Sequence, residues 1–337
     1  MRRAWPWLFL SPAILACADP SATNPVGVSR THIIAAARSP IDSFAIAYEA
    51  TTPNGGYFIF EFSGNGTQHP QITGTPTTTT GCDRDQMDDW SPDGRSIIFD
   101  CLPTYNTWIA NADGTNPRPL IVDSNIKQRA RVSHDGTRIA YSALESPGDF
   151  MSDEYIYIAN ADGTNPHRVT PDGADNLIPS WSPGDRLIVF SSFRTGKHEL
   201  FTIQPDGTHL TQLTFTGSGG LQSWLADWSP DGKEIVFSKG GFDTGNTIYV
   251  MKADGTHQRR LTDPADGSDA PVWSPDGTMV AFHSNRIAGR PDIFIMCSDG
   301  SNQTALTNSN SFNEWPKWRP ALRRLLPHEW LPCHPSH

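Results

Sequence analysis

Long apolar runs are missing from this chain of 337 residues. The nearest approach, Trp5 to Ala16, is interrupted by Pro6 and Pro12 and is too short to cross a bilayer as a helix. Charge is sparse, at 18% of residues, and uneven: 36 Asp and Glu against 26 Lys and Arg leave a net charge of -10. No run of Lys and Arg is long enough to make a basic patch, and an acidic surface repels a phosphate backbone, so no nucleic-acid partner is expected. The five Cys contain no Cys-x-x-Cys, which removes a zinc ribbon or a thioredoxin-type site. A Gly-x-Ser-x-Gly elbow, a Walker loop and a His-Glu-x-x-His pair are also absent. The 11 His are scattered, and His167, His209 and His257 follow turns in different repeats, where they do not converge on one metal. These absences predict a non-enzyme with no catalytic residue, no metal and no cofactor. Ca²⁺ would suit the acidic residues, because it takes oxygen ligands, but no Asp-rich loop has cation-ligand spacing.

Turn formers and aromatics, by contrast, are abundant. The 28 Gly and 28 Pro are more breakers than a helical bundle or coiled coil tolerates, and 11 Trp are too many for a disordered chain. At the start, Arg2 and Arg3 precede the short apolar stretch, as in a secretory signal. The stretch ends Ile14-Leu15-Ala16-Cys17, which resembles a bacterial lipobox with Leu15 larger than usual. Residues 1–16 then read as a signal peptide, Cys17 as the lipidated residue, and 17–30, rich in Pro, Ser, Thr and Asn, as a tether. An ordinary signal cleaved nearby is the alternative. Membrane association is expected only through that anchor. Of the other Cys, Cys82 and Cys101 flank one predicted hairpin and suit a bridge; Cys297 and Cys333 are the leftover pair, and all four unpaired is the alternative.

An internal repeat dominates the rest. Trp90-Ser-Pro-Asp-Gly94 recurs as Val132-Ser-His-Asp-Gly136, Trp181-Ser-Pro-Gly-Asp185, Trp228-Ser-Pro-Asp-Gly232 and Trp273-Ser-Pro-Asp-Gly277, with a truncated Trp318-Arg-Pro320 and a degenerate first copy at Ser39-Pro-Ile-Asp42. A second signature keeps the same beat: Asn65-Gly-Thr67, then Asp-Gly-Thr at 113, 162, 206 and 254, and Asp299-Gly-Ser301. Asp-Gly and Asn-Gly suit tight hairpins because these residues tolerate positive φ. Short β-type runs lie between, such as Leu187-Ile-Val-Phe190 and Thr247-Ile-Tyr-Val250. Four strands in roughly 46 residues is the length of a propeller blade. The expected fold is all-β, a six-bladed propeller over 31–320 with four antiparallel strands per blade. Its last strand, Asn313 to Trp318, is expected to close the ring beside Phe44–Tyr48; His32–Arg38 is the rival. Residues 321–337 read as a tail.

Trp-Ser-Pro-Asp-Gly, an apolar run ending in an aromatic, Ile248-Tyr-Val-Met-Lys-Ala-Asp-Gly-Thr256 and Arg260-Leu-Thr262 together resemble the TolB-type WD40-like β-propeller repeat, over about residues 39–320. TolB itself has an α/β domain before its propeller, for which residues 1–38 leave no room. The resemblance implies a periplasmic or outer-envelope protein that binds a protein or peptide partner without catalysis. The same repeat also occurs in prolyl-oligopeptidase-like enzymes and in some glycan lyases, so a carbohydrate-binding or carbohydrate-cleaving propeller is the alternative, with a glycan as the ligand.

Residues that recur in every repeat serve packing, and function is expected where the repeat is broken. The segments just before each repeat Trp position share one face with the variable loops, at the predicted channel mouth. There lie Asp85, Arg129, Asp175, Trp224, Asp269, Glu314 and Trp315, the candidate binding residues, together with Asp88 and Lys127. Trp224 and Trp315 are out of register with the repeat tryptophans and read as contacts for a partner side chain or a sugar ring.

Overall fold

The computed structural model describes residues 44–52, 56–63, 68–74, 82–122, 126–144, 153–171, 173–217, 220–241, 245–287, 289–308, 311–320 and 333. All of these lie in the unit 40–337. The signal, the lipobox Cys17, the tether, the degenerate first repeat copy, His32–Arg38 and most of the tail lie outside the described residues.

Among the described residues the chain is all-β apart from one short 3-10 turn at Pro264–Asp266. The first strands are β1 (Ala45–Thr51), β2 (Tyr57–Ser63) and β3 (Gln68–Gln71). Four-strand units follow: β4 (Arg84–Trp90), β5 (Ser96–Leu102), β6 (Asn106–Asn111) and β7 (Arg118–Ile121); then β8 (Lys127–Val132), β9 (Arg138–Leu144), β10 (Glu154–Asn160) and β11 (His167–Arg168); then β12 (Asn176–Trp181), β13 (Ile188–Ser192), β14 (Glu199–Ile203) and β15 (Thr211–Gln212). The last are β16 (Gln222–Trp228), β17 (Glu234–Gly241), β18 (Gly245–Lys252) and β19 (Arg259–Arg260); β20 (Ser268–Trp273), β21 (Met279–Ile287), β22 (Arg290–Cys297) and β23 (Thr304–Ala305); and β24 (Asn313–Trp318).

Four sheets are meanders of four strands. A fifth holds eight strands, because β24 pairs antiparallel with β1 and a single parallel pair, Tyr57 with Arg84, joins the first three strands to the next unit. The opening strand of each unit touches its counterpart in the next, from β4 through β8, β12, β16 and β20 to β24, and β24 touches β4.

The repeat residues explain this order locally. In the Asp-Gly-Thr turns one carboxylate oxygen accepts both the backbone N–H and the hydroxyl of the Thr two residues on, as Asp254 does from Thr256 at 2.9 and 2.6 Å. The Thr that ends the outer strand accepts the N–H of the third strand, Thr262 from Ile248 and Thr170 from Ile156, each at 3.0 Å. The repeat tryptophans are buried between units, and in three of them the indole N–H reaches a carbonyl of the preceding unit: Trp181 to Arg131, Trp318 to Val272, Trp90 to Lys317; those of Trp228 and Trp273 have no such partner.

The Ser-Pro-Asp-Gly turns stack. A Cβ built on Gly136, Gly232 or Gly277 would meet the Pro ring of the preceding turn at 3.5–3.8 Å. The one position where both partners depart from the motif is compensated. His134 replaces the Pro and so has an N–H, and Asp185 occupies the Gly position and accepts it at 2.8 Å, with the Asp135 N–H at 2.9 Å.

Among the described residues two disulfides are present, Cys82–Cys101 and Cys297–Cys333, with Cα separations of 5.3 and 5.2 Å. The second ties Cys333, in the segment read as a tail, beside Trp318 and Met279 in an apolar cluster.

Candidate functional site

Each opening strand from β8 onward bulges at the same place. The pairing slips between Gln128 and Arg131, Leu177 and Ser180, Trp224 and Asp227, and Asp269 and Val272, with one extra residue on the opening strand each time. The residue at the slip is left-handed: Arg129, Ile178, Leu225, Ala270 and Trp315, with φ between 50 and 58°. Left-handed backbone costs a residue with a Cβ about 1 kcal/mol or more, and Gly would avoid it. The side chains account for the choice. Trp224, Leu225 and Ala270 pack together, with Ile178 and Trp315 against them, so residues from four opening strands fill one centre.

Polar residues surround this apolar centre at a second repeated position, the residue after the aromatic of the second strand. It is Glu49, Asp100, Ser142, Ser191, Ser238 and His283 in turn. Three of these accept the N–H at the next bulge: Glu49 from Met87 at 3.1 Å, Asp100 from Arg129 at 3.1 Å, and His283 from Trp315 at 3.5 Å.

The charged sector is therefore one-sided. Arg129 donates to Glu49 at 3.4 Å and lies over the Trp315 ring, 3.7 Å from its centroid. Burial pushes Glu49 up to about 8, opposed by the Arg129 charge and reinforced by Glu314, which faces it across the β1–β24 ladder. Asp88 rises to about 6, again through burial opposed by Arg129. Asp100 rises well above the usual carboxylate range, through burial and then the charge of Asp88. Such a pair resists carrying two negative charges.

The candidate residues fall into two sets. Arg129, Trp315 and Glu314 meet in the charged sector and are half-buried. Trp224, Asp269, Asp85 and Asp175 are buried. Trp224, read as a contact residue, is only 8% exposed, and its indole N–H points to Asp269 Oδ1 at 3.4 Å, so its role here is packing. Asp269 also accepts from Asn246 at 2.5 Å, and Asp175 accepts the Glu154 N–H at 3.2 Å. Lys127 and Asp88 are buried as well. Among the described residues, no group of three or more His, Cys, Asp or Glu is placed to hold a metal ion.

Sequence reasoning missed Glu49 and Asp100; it put His283 near this face, beside His32 and His198, but found it no partner. The signal for Glu49, Asp100 and His283 was a column: the residue after Tyr48, Phe99, Tyr141, Phe190, Phe237 and Phe282 is polar in every copy but differs in kind.

The comparisons with known proteins agree with this architecture. The TolB beta propeller domain family matches residues 224–328. "Tol-Pal system protein TolB" of Francisella tularensis subsp. mediasiatica is 35% identical over 130 residues, which cover 37% of this chain and 29% of that protein. The match thus spans less than a third of that relative's length. The crystal structure of TolB from Acinetobacter baumannii shares the fold, with TM-score 0.68 and 20% identity over 83% of this chain and 67% of that one. An oligogalacturonate lyase in complex with manganese is more distant, with TM-score 0.52 and 13% identity over 75% of this chain and 71% of the other. In repeat, strand order and fold the chain is similar to the TolB β-propeller.

Proposed function

We propose that the chain is a six-bladed propeller whose ring is closed by β24 inside the first blade, and that it binds an envelope protein or peptide at the channel mouth without catalysis. Closure is supported by equivalence: Trp90 reaches Lys317 as Trp181 reaches Arg131 and Trp318 reaches Val272, so β24 stands where a preceding blade's opening strand would. Export and attachment through a lipid on Cys17 complete the reading, and they rest on the lipobox-like sequence alone.

The observation that carries the binding role is the Arg129–Trp315–Glu49 arrangement. An aromatic and a guanidinium reach the mouth partly buried, the Arg129 side chain 12% exposed, and are fixed by a left-handed bulge, a ring contact and the Glu49 carboxyl. Groups held this way lose little freedom on association, and Trp and Arg are the residues that dominate interface energy. A glycan is less well served, because sugar rings stack on open indole faces. Trp224 is buried, and one face of Trp315 is covered by Arg129.

Crosslinked capture from envelope membranes tests this, with the parent beside Arg129→Gln and Trp315→Ala. A defined partner held by the parent and lost from both variants is the expected outcome. Equal capture by all three removes the mouth as the site. Glycan retention in place of a protein partner moves the chain to the carbohydrate class.

A further inference from the structure

The single parallel pair that joins the first blade to the second, Tyr57 with Arg84, lies at the same end of the strands as the channel mouth. Side chains follow the backbone there. The Arg84 guanidinium sits over the Tyr57 ring, 4.9 Å from its centroid. Tyr105 stands near enough for the Arg84 charge to act on its hydroxyl, opposing the effect of burial. All three side chains are half-buried.

This corner is braced more heavily than a loop requires. Tyr105 is left-handed at φ 52°; its N–H donates to the Cys101 carbonyl at 2.7 Å, and its own carbonyl accepts from the Lys127 N–H at 3.2 Å. Cys101 is bonded to Cys82, two residues before Arg84, and the Asp83 N–H donates to Leu102 at 2.9 Å. The backbones of Arg84 and Tyr105 are therefore tied together by a covalent bond and several hydrogen bonds.

Among the described residues, Arg84 has no carboxylate within ion-pair distance. Of the nearby acids, Glu49 is engaged with Arg129 and the Met87 N–H and Asp100 with Thr107 and the Arg129 N–H, while the charge of Glu314 acts on Tyr57 against that of Arg84. A half-buried guanidinium between two tyrosines, with its fork unspent, matches a carboxylate, which it grips through two parallel hydrogen bonds. Tyr and Arg are also the side chains enriched at interfaces, where they contribute large rigid area at low entropic cost.

We propose that Tyr57, Arg84 and Tyr105 form a docking platform for an acidic segment of the partner, with Arg84 binding an Asp or Glu side chain and the tyrosines flanking its stem. This rests on the binding reading above and adds the partner's chemistry and a second contact point beside Arg129.

Selection of a random peptide library on the purified protein tests it. The parent should enrich peptides carrying Asp or Glu, and Arg84→Glu should turn the selection toward Lys and Arg. A peptide chosen on the parent should bind Arg84→Gln about tenfold or more weakly, the loss expected for one charge-assisted hydrogen bond. Arg84→Gln also stands in if thermal melting shows that Arg84→Glu does not fold. Peptides of the same composition from the parent and from both Arg84 variants overturn the proposal. Peptides that ignore Arg84→Gln but are lost with Arg129→Gln overturn it while leaving the mouth as the site. Failure of the parent to select any peptide overturns the binding reading itself.

Discussion

The Arg129 guanidinium lies 3.7 Å from the centroid of the Trp315 ring, and the two residues belong to opening strands of different units, β8 and β24. The contact depends on bulges in both strands and links the unit that opens with β8 to β24. A double-mutant cycle with Arg129→Ala and Trp315→Ala should show a coupling of about 1 kcal/mol, within the range of partly desolvated cation–π pairs. Urea unfolding of the four proteins measures it. Strict additivity would mean that the ring contact contributes nothing to holding the mouth.

Stability should fall as pH rises from the acid side. Glu49 and Glu154 are buried carboxyls raised to about 8, mainly by desolvation. Their folded pKa lies above the unfolded one, so between about 4.5 and 8 the unfolded chain has released protons that the folded chain retains. The stability they confer is complete below that window and is lost through it, on the order of 1 kcal/mol per pH unit for each group. Glu49→Gln should raise the melting temperature at pH 8 relative to the parent and shrink the difference between pH 5 and pH 8. A parent whose stability is flat over this range would contradict the burial of these groups.

The His134–Asp185 pair offers a test of compensation between two departures from the repeat. Asp185→Gly alone leaves the His134 and Asp135 N–H groups without their acceptor, and His134→Pro alone leaves Asp185 short of a donor. Each single change should cost about 1–2 kcal/mol. The double change restores the packing of the other turns and should recover most of the loss. Additive losses in chemical denaturation would show that the pair does not act as a unit.

Trp224 and Trp228 should behave alike. Both are buried, at 8% and 7% exposure, and either change to Ala should cost about 3–5 kcal/mol. Trp315→Ala should cost clearly less, because Trp315 is half-buried at the mouth. A nearly neutral Trp224→Ala would return that residue to the set of contact candidates.

Each disulfide should contribute about 2–4 kcal/mol, since each closes a loop of moderate length, with sequence separations of 19 and 36. Cys333 itself packs against the apolar cluster that holds Trp318 of β24, a contact that Cys333→Ser also alters. Thermal melting of Cys82→Ser and Cys333→Ser beside the parent, without reductant, checks both. Unchanged melting would show that the folded state does not depend on these bonds.

The sequence by itself determined the strands, the turns and the units. Asp-Gly-Thr and Ser-Pro-Asp-Gly work within a few residues, through side chains that satisfy neighbouring backbone groups, so each copy announces its own local structure. The column of tryptophans marked inter-blade packing for the same reason: one environment, recurring, selects one residue. Tertiary structure alone decided what meets at the mouth. Nothing local announces the bulges, because Arg, Ile, Leu, Ala and Trp occupy left-handed positions that would ordinarily favour Gly. Their side chains are chosen by neighbours a whole repeat or more away. That is why Trp224 looked like a contact residue and is buried, and why nothing in the sequence singled out Glu49, which holds Arg129 against Trp315. Contacts between blades depend on the angle and offset at which the sheets pack, which a local pattern of apolar and polar residues does not encode.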